Sequence, residues 1–233
     1  LSREVPIQKI PFLQRKIISH AKSKGKPVFV ATNLLESMVN SNNPTRAEVN
    51  DVVSTYLMGA DGYVLAAETA IGKYPVETVK MMSDIILETE KSSYDFTGNP
   101  IKVNNEDKNI NNKDMICAIT DSVFHLVQRL NAKHIVVATQ SGFTARMVSR
   151  YRPGVTIMVM VADEQVSRHL ALVWGVYTFK IKYCKNFDEI INESINKLKL
   201  EKLVKINDKL VFITGQPISS AQSMNLIKLH TVK

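Results

Sequence analysis

Val28-Phe-Val-Ala-Thr-Asn-Leu-Leu-Glu-Ser-Met38 and Gly62-Tyr-Val-Leu-Ala-Ala-Glu-Thr-Ala-Ile-Gly-Lys-Tyr-Pro75 decide how this chain folds. Each opens as a short β-branched or apolar run and then turns polar, with Thr32 after the first run and Glu68 after the second. Between them Pro44-Thr-Arg-Ala-Glu48 opens a helix. A strand, a polar residue at its C-terminal end, a helix, and the same again is the rhythm of a (β/α) barrel. In such barrels the chemistry collects at the C-terminal strand ends.

Working outward, Val5 to Lys24 carries Ile10, Leu13, Ile17, Ile18 and Ala21 at helical spacing, and Gly25 ends that helix. A strand over 28–31 and a short helical stretch over 34–39 follow. Thr45 and Glu48 have the spacing of a capping box. Val49, Val52, Val53, Tyr56 and Leu57 form the buried stripe of the helix they open, which Gly59 ends. Tyr63 to Leu65 reads as the next strand, and Pro75 suits the first turn of a helix running to about Ser92. From Ser93 to Asn112 the chain is rich in Asn, Lys and Asp without apolar periodicity, as a boundary or linker is. A second unit begins at Asp114. Its pattern predicts helices over 115–130, 144–151, 164–173 and 187–200, and strands over 134–139, 156–161, 176–181, 209–214 and 226–232. Alternation of β and α elements implies a largely parallel sheet covered on both faces. The last strand follows without a helix, so it is expected antiparallel at an edge. The expected domains are 1–95, a linker 96–113, and 114–233.

The chain has 233 residues, 45% hydrophobic and 22% charged, enough for ordinary cores. No run approaches the roughly 20 apolar residues that cross a bilayer. No secretory signal is read, and the start at Leu1 is expected to lie inside a longer protein. Two cysteines, Cys117 and Cys184, make no disulfide framework and are expected as free thiols in a reducing compartment. No Cys/His spacing suits zinc. The net charge of +8 raises nucleic acid as a partner, but its lysines and arginines are scattered with few aromatics. A solvated surface, or an enzyme of anionic substrates, fits that pattern better; neither nucleic acid nor membrane is expected as a partner.

Three positions invite chemistry. From its place alone, Thr32 either caps the helix that follows or faces a substrate. Glu68 either orders water and neighbouring groups or pairs with a base across the barrel mouth. Thr139-Gln140-Ser141-Gly142-Phe143-Thr144 joins a strand to a helix, so it is either an ordinary turn or a phosphate cradle of hydroxyls and backbone N–H groups.

Several segments together resemble pyruvate kinases. In the first unit these are Ala31-Thr-Asn-Leu-Leu-Glu-Ser-Met38, Pro44-Thr-Arg-Ala-Glu48, Glu68-Thr-Ala70 and Gly72-Lys-Tyr-Pro75. In the second they are Thr139-Gln-Ser-Gly142, Ser149-Arg-Tyr-Arg-Pro153 and Leu170-Ala-Leu-Val-Trp-Gly-Val-Tyr177. The resemblance runs through the whole chain in the family's order. It implies an α/β fold class: the last two βα units of a (β/α)8 TIM barrel, followed by a separate α/β domain with a mainly parallel sheet. Leu1 would then lie just after the strand-six loop that carries a magnesium-binding aspartate. The enolate-stabilising lysine, the metal carboxylates and the phosphate-gripping arginine would all lie upstream, leaving no metal ligand here and the fragment alone inactive.

The implied reaction is glycolytic transfer of a phosphoryl group from phosphoenolpyruvate to ADP, giving pyruvate and ATP, with Mg2+ and K+ held by upstream residues. Phosphoryl transfer of this kind rests on positioning and charge neutralisation. The resemblance places Thr32 beside the bound acid, in the water chain that protonates the enolate, and Glu68 at the same strand-end site. Glu36 and Arg46 are expected to be structural or to serve a subunit interface. The family's homotetramer, allostery and sugar-phosphate effector are implied too, the effector at Thr139, Gln140, Ser141, Gly142, Phe143 and Thr144. Departures from the pattern are Ala66-Ala67 where the family has Ser-Gly, Asn33 for Gln, and Ser2-Arg3 for Gly-Val. The loop Gln216-Pro-Ile-Ser-Ser-Ala-Gln-Ser-Met224 also lacks the glycines that usually complete the effector site, so activation is expected to be altered or lost. The expected compartment is the cytoplasm or a plastid-like organelle. The competing reading is a non-catalytic protein whose second domain binds a phosphorylated ligand.

Overall fold

The computed structural model describes residues 5–31, 34–92, 112–184, 186–215 and 224–233. Thr32, most of the expected linker, and residues 216–223 of the glycine-poor loop lie outside them. The chain divides into two units, Leu1–Phe96 and Thr97–Lys233.

In the first unit a 3-10 turn (Ile7–Lys9) leads into α1 (Ile10–Ser23). That helix starts at Ile10, the first residue of the apolar stripe, and Pro11 is tolerated in its first turn, where its missing N–H has no partner to lose. Then come β1 (Phe29–Ala31), a 3-10 turn (Glu36–Val39), α2 (Arg46–Met58), β2 (Gly62–Val64), α3 (Ala67–Ala70) and α4 (Pro75–Lys91). The capping box of α2 is formed. Thr45 Oγ1 accepts from the Glu48 N–H, and the Glu48 carboxylate accepts from the Thr45 N–H. Gly59 closes the helix in the left-handed conformation. β1 and β2 pair in parallel, with Val30 opposite Tyr63. Leu34, Leu35, Met38, Val52, Met82 and Ile85 form a core in which the segment after β1 meets α2 and α4. Phe29 and Val64 are 43% and 46% exposed.

The second unit comprises α5 (Asn112–Leu130), β3 (His134–Ala138), α6 (Phe143–Ser149), β4 (Thr156–Val161), α7 (Glu164–Leu170), β5 (Val176–Lys180), α8 (Phe187–Leu200), β6 (Lys209–Thr214) and β7 (Leu226–Thr231). The sheet order is β5-β4-β3-β6-β7. The first four strands are parallel, and β7 lies antiparallel at the edge as expected. Strand alternation divides the apolar residues between two cores. Ile135, Val137, Ile157, Val159, Val211 and Ile213 face α5, α6 and α7 through Val127, Val148 and Leu170. Val136, Met158, Met160, Leu210 and Phe212 face α8 through Ile191, Ile195 and Leu198. Three helices differ from expectation at their ends, one of them α6, which spans Phe143–Ser149 rather than 144–151. α5 starts at Asn112, and α7 stops at Leu170 because the chain must turn there to set β5 beside β4, where the Ile157 N–H reaches the Gly175 carbonyl.

His134 opens β3 buried, its Nε2 3.1 Å from the Leu203 carbonyl. Nε2 therefore carries the proton, and Nδ1 is buried without a hydrogen-bond partner among the described residues. Burial holds the imidazole below its usual range. The nearby Lys133 charge acts the same way, while the Leu203 bond and Asp208 oppose it. His230 is displaced in the same direction, by burial and by Lys228, Lys233 and Lys199. A histidine with a folded-state pKa below its unfolded value of about 6.5 contributes stability that is present above that value and lost as the pH falls. Replacing His134 with Gln, which can still donate to Leu203 but does not titrate, is expected to flatten part of the fall in unfolding midpoint between pH 7 and 5. Equal pH slopes for the two proteins would count against this assignment.

Candidate functional site

The site is built where β1 and β2 end. After β2 the chain runs through Leu65 and Ala66 into α3, four residues long, so Glu68 sits on a helical turn beyond the strand rather than on the strand end itself. Its side chain folds back, and Oε2 accepts from the Ala66 N–H at 2.8 Å. The Ala66 carbonyl in turn accepts from the N–H groups of Thr69 and Ala70. Gly72 closes the turn so tightly that a Cβ there would overlap the Glu68 carbonyl, which is why no other residue fits. Glu68 is 2% exposed, and its Oε1 has no hydrogen-bond partner among the described residues. An unpaired buried carboxylate oxygen is costly to fold in, so it marks a place where a hydroxyl, an amine or a water belongs.

The loop after β1 is held from two sides. Leu34, Leu35 and Met38 bury one side of it. On the other, Glu48 takes four hydrogen bonds. Ser37 N–H donates to Oε1 at 2.7 Å and Ser37 Oγ to Oε2 at 2.5 Å, while Thr45 N–H and Oγ1 donate to Oε2 at 2.7 and 2.8 Å. Burial pushes this carboxyl upward, but the bonds from Ser37 and Thr45 outweigh it and leave it below the usual carboxylate range. The Lys73 N–H then donates to the Val39 carbonyl at 2.9 Å, tying the loop after β1 to the loop after β2. Thr45–Glu48 is legible in the sequence as a cap; the Ser37–Glu48 link, eleven residues apart, is not, since no local pattern encodes it. Glu36 and Arg46 are exposed.

In the second unit the Thr139–Thr144 loop is closed on itself. The Gly142 N–H donates to Thr139 Oγ1 at 3.1 Å, and the Phe143 N–H to Ser141 Oγ at 3.4 Å. Gly142 is left-handed, at φ +75°, and packs against Leu170. Gln140 and Ser141 are exposed, Thr139 and Phe143 half-buried, and Thr144 buried. The other two motifs of this unit meet: Ser149 Oγ donates to the Trp174 carbonyl at 2.6 Å, and the buried Arg152 guanidinium lies 4.8 Å from the Trp174 ring centre. No group of three or more His, Cys, Asp or Glu side chains among the described residues is placed to hold a metal ion. These residues therefore do not suit a magnesium site.

Fold and site together define an α/β protein whose first unit is the end of a (β/α)8 barrel, with its polar groups gathered beyond the C-terminal strand ends. Two family models match, the pyruvate kinase barrel domain over residues 1–79 and the pyruvate kinase alpha/beta domain over residues 117–230. Among similar curated proteins, the pyruvate kinase of Lactobacillus delbrueckii subsp. bulgaricus is 38% identical over 98% of this chain and 38% of its own length. That of Geobacillus stearothermophilus is 37% identical over 100% and 39%. A crystal structure of a pyruvate kinase from Cryptosporidium parvum superposes with a TM-score of 0.81 at 32% identity, covering all of this chain and 45% of that one. The chain belongs to the pyruvate kinase family. It spans about two fifths of the length of those two curated relatives.

Proposed function

We propose that the protein carrying this chain is a pyruvate kinase, transferring phosphoryl from phosphoenolpyruvate to ADP and yielding pyruvate and ATP in glycolysis. The observation that carries this reading is the match of both family domains, in order, along one chain. Thr32 is the residue we assign to the substrate, donating and accepting in the water chain that protonates the enolate. Glu68 is assigned to the same site, where its Oε1, without a partner among the described residues, is an acceptor for a water or a substrate-side donor, while Oε2 holds the Ala66 amide. The Mg2+ and K+ of this chemistry are assigned to residues upstream of this chain, as membership of the family implies. Positions 1–95 are read as the closing part of the catalytic barrel and 114–233 as the effector and oligomerisation domain of a homotetramer. A reducing compartment, cytoplasmic or plastid-like, accords with two free thiols.

The test is a coupled pyruvate-formation assay on the full-length protein with phosphoenolpyruvate, ADP, magnesium and potassium. This chain by itself is the expected blank. Activation by a sugar phosphate is proposed to be altered or absent. The hydroxyls of Thr139 and Ser141 already occupy the Gly142 and Phe143 amides that a phosphate would need, which supports that reading. Titrating the full-length protein with fructose bisphosphate is expected to give no saturable binding in the micromolar range. A tight, saturable isotherm would overturn this part of the proposal alone.

A further inference from the structure

The geometry points to Glu48 as a positioning residue of the active site: it holds Ser37, in the segment that follows Thr32 along the chain, in addition to capping α2. This rests on the function proposed above. A cap needs only the exchange between Thr45 and Glu48. Here both carboxylate oxygens are engaged and Ser37 contributes two further bonds, from its backbone and from its hydroxyl. Bonds to an ionised acceptor are roughly twice as strong as neutral ones, so the Ser37 pair is a strong constraint on the backbone five residues after Thr32. The other side of that segment is fixed by Leu34, Leu35 and Met38, buried in the core. Val39, two residues beyond Ser37, receives the Lys73 N–H from the loop of Glu68. Glu48 is thus the point at which the first site loop is fastened to the helix behind it, and through Val39 that loop is fastened to the second.

The experiment uses the full-length protein and compares Glu48→Gln, Ser37→Ala, Thr45→Ala, Thr32→Ala and the double variant Thr32→Ala/Glu48→Gln. It reads kcat, the KM for phosphoenolpyruvate and for ADP, and the thermal midpoint. Small misplacements of a reacting group cost up to about a hundredfold in rate. Glu48→Gln is therefore expected to lower kcat by about tenfold or more, with the KM for ADP unchanged. Ser37→Ala, which removes one bond and no charge, lowers kcat in the same direction and keeps the inference testable should the Gln variant fold poorly. Thr45→Ala loses the cap hydroxyl and lowers the thermal midpoint while keeping kcat within about twofold. If Glu48 acts through Thr32, the double variant is no slower than Thr32→Ala alone. A wild-type kcat in Glu48→Gln, or losses that multiply in the double variant, would overturn the positioning role and leave the kinase reading intact. An inactive wild type, or a Thr32→Ala at full rate, would overturn the reading of the site itself, and this inference with it.

Discussion

Replacing Thr32 with alanine in the full-length protein is expected to lower kcat for pyruvate formation by about a hundredfold or more, the usual contribution of a positioned proton-transfer group. The hydroxyl is the only part of this side chain that can both donate to and accept from a water beside the bound acid. Thr32→Ser keeps that hydroxyl and is expected to recover most of the rate. Thr32→Val keeps the shape without the hydroxyl and is expected to be as slow as alanine. The KM for phosphoenolpyruvate should change much less than kcat, because the lost interaction develops in the transition state rather than in the bound ground state. A coupled assay at saturating magnesium and potassium decides the matter. Three variants with equal and wild-type kcat would remove Thr32 from the site and return it to the role of a helix cap.

The second large effect is one of stability. Phe212 lies on β6 in the interior of the five-stranded sheet and is 1% exposed. It packs in the core shared with Ile191, Ile195 and Leu198 of α8, and its ring meets His230 edge-on with centroids 6.0 Å apart. Truncation to alanine leaves a cavity that neighbouring strands cannot collapse into without breaking their ladders. The expected loss is about 3–5 kcal/mol, read as a fall in the urea midpoint of the second unit. Tyr177→Ala, on edge strand β5 and 63% exposed, is the comparison and is expected to change little. A Phe212→Ala protein as stable as the Tyr177 variant would mean that α8 does not depend on this core.

The second unit was nearly transparent in the sequence because its signals are long and redundant. The limits of α8, β4 and β6 coincide with the predicted ones, since an amphipathic stripe closed by caps, or a six-residue apolar run, leaves few alternatives. The Thr45 capping box and the close of α2 at Gly59 were equally plain. What stayed hidden was short or non-local. Four residues of α3 are too few to show a period, so the sequence places Glu68 at a strand end and carries no sign of its return to the Ala66 amide. The second partner of Glu48 depends on how the 3-10 turn Glu36–Val39 is carried against α2, a property of packing rather than of spacing. The identity of the chemistry was legible only through resemblance. Neither Thr32 nor Glu68 has local company that would single it out.

The parallel pairing of β1 with β2 has a consequence for the two loops that follow them. Its register sets Phe29 opposite Gly62, Val30 opposite Tyr63 and Ala31 opposite Val64. A slip by one residue would turn every side chain of one strand to the other face. The ladder therefore fixes the height at which each loop leaves its strand, and so acts as a gauge for the spacing of the groups beyond.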